Sequence, residues 1–261
     1  MKIGRVVVLL ILSVILIFSL CLCGCDDKKV GPTNISPTLN KGIDNQGDPK
    51  KKLSALKNAF RNHVKRTDDF LTFYRSSAND LKLETLGIKP DTVIADLGCG
   101  TGAFEMVLLD EKIPFTKLYA TDIDKPSLDF LRFVLNETKM PGNEKVEIIL
   151  SEVDDAKLPP KSVDIFLSLN TKIGLRTVKR PLNKQGIDAN QRLFNTIKAS
   201  MRDSAVFHAF EPIGEYSNHN YQEKWVVDQI VSYGFRVISK ERIKLGESYY
   251  HVVFAKDDMM K

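Results

Sequence analysis

The spacing of hydrophobic positions changes three times along the chain. Val6 to Leu20 form an unbroken apolar run in which only Ser13 and Ser19 carry polar side chains. From Asp26 to Lys52 large apolar residues almost vanish. Gly31-Pro32, Ser36-Pro37, Gly42, Gly47 and Asp48-Pro49 punctuate that stretch, and Lys50, Lys51 and Lys52 close it with a solvated charge run. Such a segment cannot bury enough surface to fold and reads as a tether. At Leu53 helical spacing begins: Leu53, Leu56, Phe60 and Val64, then Phe70, Leu71, Phe73 and Tyr74, mostly suit one buried stripe. A second short helix over Ser77–Leu86 stops at Gly87, with Pro90 just beyond.

After Pro90 the pattern becomes short apolar runs separated by amphipathic segments. Strands are predicted at Thr92–Leu97, Lys117–Thr121, Val146–Leu150, Val163–Leu169, Ala205–Phe210, Phe235–Arg242 and Tyr249–Ala255. Helices are predicted at Ala103–Asp110, Lys125–Thr138 and Ala189–Ser200, with a short or irregular piece around Ser151–Pro160. Strands alternating with helices imply a parallel sheet covered on both faces. Only Ile243 to Ser248 join the last two strands. A connection of hairpin length forces them antiparallel. The expected architecture is α/β, with a doubly wound, seven-stranded, mostly parallel sheet whose last strand is antiparallel. The domains follow: a signal or lipoprotein-type membrane segment over 1–25, a tether over 26–52, and a folded domain over 53–261. Within the last, leading helices occupy 53–89 and the sheet-bearing core 90–257.

Composition changes this picture little. The 261 residues are 43% hydrophobic and 27% charged with a formal charge of +5, ordinary for a globular chain with a buried core. Basic and acidic residues alternate, and no Arg-rich cluster is interleaved with aromatics, so a nucleic-acid groove is not expected. A mildly cationic surface also suits an anionic membrane. Cysteine use is lopsided. Cys21, Cys23 and Cys25 crowd one segment and only Cys99 lies in the folded domain, which excludes a disulfide framework there and leaves no zinc pattern. No metal site is expected.

Lys2 and Arg5 before the apolar run give the layout of a secretory signal. Leu22-Cys23-Gly24-Cys25 resembles the bacterial lipoprotein signal box, and that resemblance implies Cys25 as the lipidated first residue of the mature chain. A plain signal anchor with incidental cysteines is the other reading, since Ile3 to Cys23 is just long enough to cross a bilayer. Both attach the protein to a membrane. Lys2 and Arg5 on one side against Lys28 and Lys29 on the other leave the side open.

The candidate chemistry begins where the first strand ends. Asp96-Leu97-Gly98-Cys99-Gly100-Thr101-Gly102 follows a continuous apolar strand and precedes a helix. Three glycines let the backbone turn sharply and leave no side chain in the way of a ligand, while the helix start offers a positive dipole end. With Ala103 last, the loop also satisfies the dinucleotide pattern, so NAD binding is weighed beside it. The second strand ends in Asp122, with Asp124 two residues on. A carboxylate is the natural bidentate acceptor for a vicinal diol, which serves either cofactor.

A third station separates the two. Asp154, four residues before Leu158-Pro159, precedes the Val163-Asp164 opening of strand four. With the Asp-x-Gly-x-Gly-x-Gly loop, Asp122, and the Tyr233-Gly234-Phe235 entry to strand six, it resembles the class I, Rossmann-like S-adenosylmethionine-dependent methyltransferases between about Leu81 and Lys256. That resemblance implies S-adenosylmethionine as cofactor. It implies that Asp96 lies near the methionine end, that Gly98, Cys99, Gly100, Thr101 and Gly102 line it, and that Asp122 takes the ribose hydroxyls with Ile123 alongside. It also implies that Asp154 accepts from the adenine amino group, that the Asp155 N–H meets a ring nitrogen, and that Ser168 closes the set.

The methyl acceptor is less legible. Ser168-Leu169-Asn170-Thr171-Lys172 is not the Asn/Asp-Pro-Pro-aromatic motif of amide or exocyclic-amine methylation, so a small molecule or lipid is favoured over nucleic acid. Asn170 and His219 are the catalytic candidates. A turn-forming Asn and a surface-loop His are the plainer readings of each. His63 is expected on an exposed helix face and His251 in a structural place, whereas His208 could face either core or cleft. Lys172 to Gly186, without clear periodicity, is a candidate substrate-covering loop. A cofactor-binding lipoprotein without turnover and an NAD-dependent reductase are the alternatives.

Overall fold

The computed structural model describes residues 48–63, 83–169, 189–212, 223–245 and 247–257. Among them the elements run α1 (Pro49–His63), a 3-10 turn (Leu83–Leu86), β1 (Val93–Leu97), α2 (Ala103–Asp110), β2 (Lys117–Asp122), α3 (Lys125–Thr138) and β3 (Val146–Leu150). There follow β4 (Val163–Leu169), α4 (Ala189–Ser200), β5 (Met201–Pro212), α5 (Glu223–Ser232), β6 (Phe235–Leu245) and β7 (Glu247–Lys256).

One seven-stranded sheet in the order β3-β2-β1-β4-β5-β7-β6 carries them all. β3, β2, β1, β4 and β5 pair in parallel, and β7 is antiparallel to both β5 and β6. The chain leaves β1 toward β2 and later returns to β4 on the other side. The order therefore reverses at β1, and ligands of such sheets bind beside that point.

Two cores flank the sheet. On one face α1, α2 and α3 pack Leu56, Met106, Leu108, Leu128 and Leu131 against Ile94, Leu118 and Leu167. On the other, α4 and α5 bring Phe194, Ile197, Val226 and Ile230 against Ala95, Phe166 and Phe207. Rings dominate the second core: Phe194 stacks on Tyr233 at 5.0 Å and meets the edge of Phe235 at 5.6 Å. The central strand β1 is buried along its whole length, as its unbroken apolar run requires.

The structure departs from the sequence reading in four places. Helix α1 begins at Pro49, not Leu53. Asp48 starts it by accepting the Lys50 N–H at 2.9 Å, and a proline is well tolerated in the first turn. The run Lys50–Lys52 is therefore helical and not tether. Strand β5 runs from Met201 to Pro212 and not only over Ala205–Phe210, whereas Ser151–Pro160 is irregular as expected, with an isolated antiparallel bridge joining Glu152 and Asp155. Helix α5, with Val226 and Ile230 buried four residues apart, was not anticipated. Finally, pairing in the last hairpin continues to Leu245 opposite Glu247, so most of the expected 243–248 connection is strand.

Of the second leading helix, 77–86, the described part is the 3-10 turn. Residues 1–47, where the sequence reading puts a membrane segment with Cys25 and most of a tether, lie outside the described residues. Among the described residues no helix is long and apolar enough to cross a membrane.

Candidate functional site

The loop after β1 is tied to the end of β2 before any ligand is considered. Gly98 N–H and Cys99 N–H both donate to Thr121 O, at 2.7 and 3.0 Å. In return the Thr121 hydroxyl donates to Asp96 O at 3.1 Å. Gly100, at φ 56°, aims its N–H at Asp122 Oδ2 over 2.8 Å, and the Asp124 N–H donates to Asp122 Oδ1 at 2.8 Å. Backbone N–H groups thus fix both carboxylate oxygens, each of which can accept more than one hydrogen bond. Burial raises the Asp122 pKa, with the Asp124 charge adding to the rise, and the backbone N–H groups of Asp124, Gly100 and Ile123 work against it.

Gly102 has a different reason to be glycine. Its φ is 90°, and a Cβ there would meet Leu131 Cδ1 at 2.2 Å. Helix α2 therefore presses its start directly onto α3. A Cβ on Gly100 meets nothing within 4 Å, which leaves open space where the loop faces a ligand.

Asp124 caps α3, accepting the Ser127 N–H at 3.1 Å and the Ser127 hydroxyl. It also takes Lys52 Nζ from α1 at 2.7 Å. These partners outweigh its partial burial and lower its pKa. The leading helix is thereby joined to the loop that follows Asp122. The same helix lays Lys57 over the Phe133 ring of α3 at 5.0 Å.

Behind the loop is a pair of acids. Asp96 is buried at the end of β1, and Glu105 is fully buried on α2. Among the described residues the Glu105 carboxyl has no partner beyond its own backbone N–H and the Asp96 carboxyl that it faces. Two carboxyls withdrawn from water cannot both ionise at low cost. Burial and the Asp96 charge hold Glu105 well above its usual range, so it keeps its proton and donates it to Asp96. Burial likewise pushes Asp96 up to about 7, the Glu105 hydrogen bond lowering it and Asp122 adding to the rise. The buried Cys99 thiol is pushed up by burial and by the same acids.

The adenine-side candidates are half-engaged. Asp154 Oδ2 accepts Arg192 Nε from α4 at 2.7 Å. The Asp155 N–H points to Glu152 O at 3.4 Å, and its carboxylate accepts the Lys157 N–H at 2.8 Å. Ile123 is 58% exposed and Val153 50% exposed, large apolar side chains left open at the ends of β2 and β3. Ser168 is buried near the end of β4 opposite Ala209, its side chain alternating to the face away from Leu167. The structure thus gathers Asp96, Gly98, Cys99, Gly100, Gly102 and Asp122 into one cluster, with Thr101 in the loop and Ile123 at its rim. Asn170 and His219 lie outside the described residues, as does the 172–186 loop.

Sequence reasoning missed Lys52, Glu105 and Arg192. Glu105 did leave a signal: it is the one acid inside the otherwise apolar Ala103–Leu109. Lys52 and Arg192 left none, because their partners lie 72 and 38 residues away.

Residues 95–184 match the family model described as a methyltransferase domain. No curated protein matches the chain in sequence. Among solved structures the fold is similar to a SAM-dependent methyltransferase from Aquifex aeolicus, at a TM-score of 0.55 and 18% identity over 80% of this chain and 99% of that one. It is similar to the glycopeptide N-methyltransferase MtfA, at 0.54 and 12% identity over 69% of this chain and 90% of that one. A protein from Pyrococcus horikoshii OT3 aligns at 0.53 and 14% identity over 76% and 98%. A methyltransferase-domain match on this sheet, with an acid-and-glycine loop at its reversal point, supports the class of S-adenosylmethionine-dependent methyltransferases.

Proposed function

We propose that this methyltransferase binds S-adenosylmethionine with the ribose on Asp122, the adenine between Ile123 and the 152–155 turn, and the methionine end over Gly98–Gly102 toward Asp96. It passes the methyl group to a small-molecule or lipid acceptor. The observation that carries this reading is the Asp122 carboxylate. It ends β2 beside the glycine loop at the sheet's reversal point and is held in place by the Gly100 and Asp124 N–H groups, one on each oxygen. Open apolar surface at Ile123 and Val153 supports a flat aromatic ring beside it.

With the adenosine on the β2–β3 side, the sulfonium comes to the β1–β4 side, and the acceptor approaches over β4 and β5. Methyl transfer is an in-line displacement at carbon, so positioning carries most of the rate. The protein holds the adenosine by hydrogen bonds and excludes water with the helices above the loop. The negative charge of Asp96 lies where a cationic cofactor benefits from it.

The N-terminal segment is proposed to attach the domain to a membrane, through a lipid on Cys25 or through the apolar run itself. That attachment favours an acceptor dissolved in or delivered by the membrane. Incubating the full chain with methyl-tritiated S-adenosylmethionine and separate lipid, metabolite and RNA fractions tests the acceptor class. Label in the lipid or metabolite fraction supports the reading, and label in RNA alone refutes it.

A further inference from the structure

Two histidines buried between the last strands are not used by the cofactor site. Reading the registers across the sheet, Asp96 stands beside Leu167, and Leu167 beside His208. Neighbouring strands are about 4.8 Å apart, so His208 lies about 10 Å from Asp96 in the same row. The pleat puts it on the same face, since Leu167 and Phe210 belong to the core beneath α1, α2 and α3.

His208 Nδ1 is 3.0 Å from His251 Nε2, and His251 Nδ1 is 2.9 Å from Glu241 Oε1. Phe210 lies flat on the His251 ring, at 4.1 Å and 7°, and locks its plane. Both histidines are buried, whereas the Glu241 side chain is 55% exposed. The chain of contacts therefore runs from the interior to solvent across β5, β7 and β6.

The partners fix the tautomers. An ionised carboxylate only accepts, so His251 Nδ1 carries a hydrogen and donates to Glu241. In the tautomer with its hydrogen on Nδ1 alone, His251 Nε2 is bare and accepts from His208 Nδ1. A neutral His208 is then left with a bare Nε2, which has no hydrogen-bond partner among the described residues. A buried acceptor without a partner is costly to keep, and a donor brought by a bound molecule would satisfy it.

We infer that Glu241, His251 and His208 form a proton relay whose inner end, His208 Nε2, is the general base for a methyl acceptor that carries a proton on its attacking oxygen or nitrogen. This rests on the cofactor placement proposed above. The acceptor lone pair forms the new bond to the methyl carbon, and the S–CH3 bond breaks with its electron pair passing to sulfur. The acceptor's proton goes to His208 Nε2. The His208 Nδ1 proton moves to His251 Nε2, and the His251 Nδ1 proton moves to Glu241 and out to solvent. The positive charge that leaves the sulfonium thus leaves the site as a proton.

Burial and the neighbouring His251 depress His208 to about 4, so the ring stays neutral and ready to accept. A weak base suffices because an oxygen or nitrogen becomes far more acidic as it gains a methyl group. His251 and Glu241 act through His208 and are positioning residues.

The test has two arms on the full chain. In 15N-histidine NMR, His208 should show Nδ1 protonated and Nε2 bare at neutral pH. A protonated Nε2 with a bare Nδ1 would reverse the chain of hydrogen bonds and overturn the relay. In the second arm, binding of S-adenosylhomocysteine and transfer of tritiated methyl to lipid and metabolite extract are measured for His208→Gln and Glu241→Gln. Expected are cofactor affinities within about twofold of wild type, transfer down at least a hundredfold for His208→Gln, and down about threefold to tenfold for Glu241→Gln. The exposed Glu241 site keeps the test readable if His208→Gln fails to fold. Undiminished transfer in either variant overturns the relay and leaves the cofactor reading standing. A wild-type protein that neither binds the cofactor nor transfers label overturns the cofactor reading, and one that binds without transferring overturns the relay alone.

Discussion

The Gly100 N–H donates to Asp122 Oδ2 over 2.8 Å, so the loop after β1 and the acid ending β2 hold each other in place without a ligand. A preformed acceptor spends little binding energy on ordering. In the proposed placement, replacing Asp122 by Ala removes two charge-assisted hydrogen bonds to the ribose and frees the loop. Affinity for S-adenosylhomocysteine should fall by about 3 kcal/mol, roughly a hundredfold, in isothermal calorimetry. An affinity within threefold of wild type would remove Asp122 from the ribose site.

Two glycines of the same loop should fail in different ways. At Gly102 a methyl group meets Leu131 at 2.2 Å on a backbone at φ 90°. Gly102→Ala should lower unfolding stability by about 2–4 kcal/mol in urea titrations. At Gly100 the methyl group meets nothing, so Gly100→Ala should cost about 1 kcal/mol of stability, from its positive φ, while cofactor binding weakens. Equal destabilisation by both would contradict this division between packing and ligand space.

The buried pair of Asp96 and Glu105 makes apo stability pH-dependent. Both carboxyls titrate higher in the folded chain than in the unfolded one, Asp96 at about 7. The native state therefore binds more protons above about pH 4, and this contribution is lost as pH rises toward 7 at up to about 1.4 kcal/mol per unit per proton. His208, depressed to about 4, works oppositely: its contribution is present above pH 6.5 and lost as pH falls toward 4. The difference between wild type and Glu105→Gln isolates the acid pair. That variant keeps a donor to Asp96 and should gain stability relative to wild type between pH 5 and pH 8. A pH-independent difference would show that Glu105 is not held protonated.

Asp124 joins three segments, and its two roles are separable. Asp124→Ala removes the α3 cap and should cost about 1–2 kcal/mol. Lys52→Ala removes only a partly exposed ion pair and should cost below about 1 kcal/mol. Thermal unfolding of both variants checks the order; a larger loss for Lys52→Ala would mean that α1 is held chiefly by this contact.

The central strands were legible because a doubly covered strand is largely apolar, and the half-exposed edge strand because it is rich in Val and Ile. Val146–Leu150 and Val163–Leu169 have the same bounds in the sequence reading and in the structure, as do helices Lys125–Thr138 and Ala189–Ser200. The loop at Asp96–Gly102 and Asp122 was legible because glycine and a strand-ending acid have few other uses at that spacing. Helix α5 was missed because its apolar residues follow a polar stretch, with no start signal strong enough to break it from the loop. The Glu241–His251–His208 contacts could not be read. His208 and His251 are 43 residues apart and meet only through the antiparallel pairing of β5 with β7. Polar residues alternating in a strand look the same whether they pair across the sheet or face solvent.

The central claim, that this fold binds an adenosyl cofactor at Asp122 and not a dinucleotide, is tested most directly by thermal unfolding of the wild-type chain with S-adenosylhomocysteine or with NAD. At a hundred times its dissociation constant a ligand stabilises the native state by about 2.7 kcal/mol. For a domain of this size that raises Tm by about 5–10 °C. The account expects that rise with S-adenosylhomocysteine and none with NAD at equal concentration. A rise with NAD and none with S-adenosylhomocysteine would contradict it.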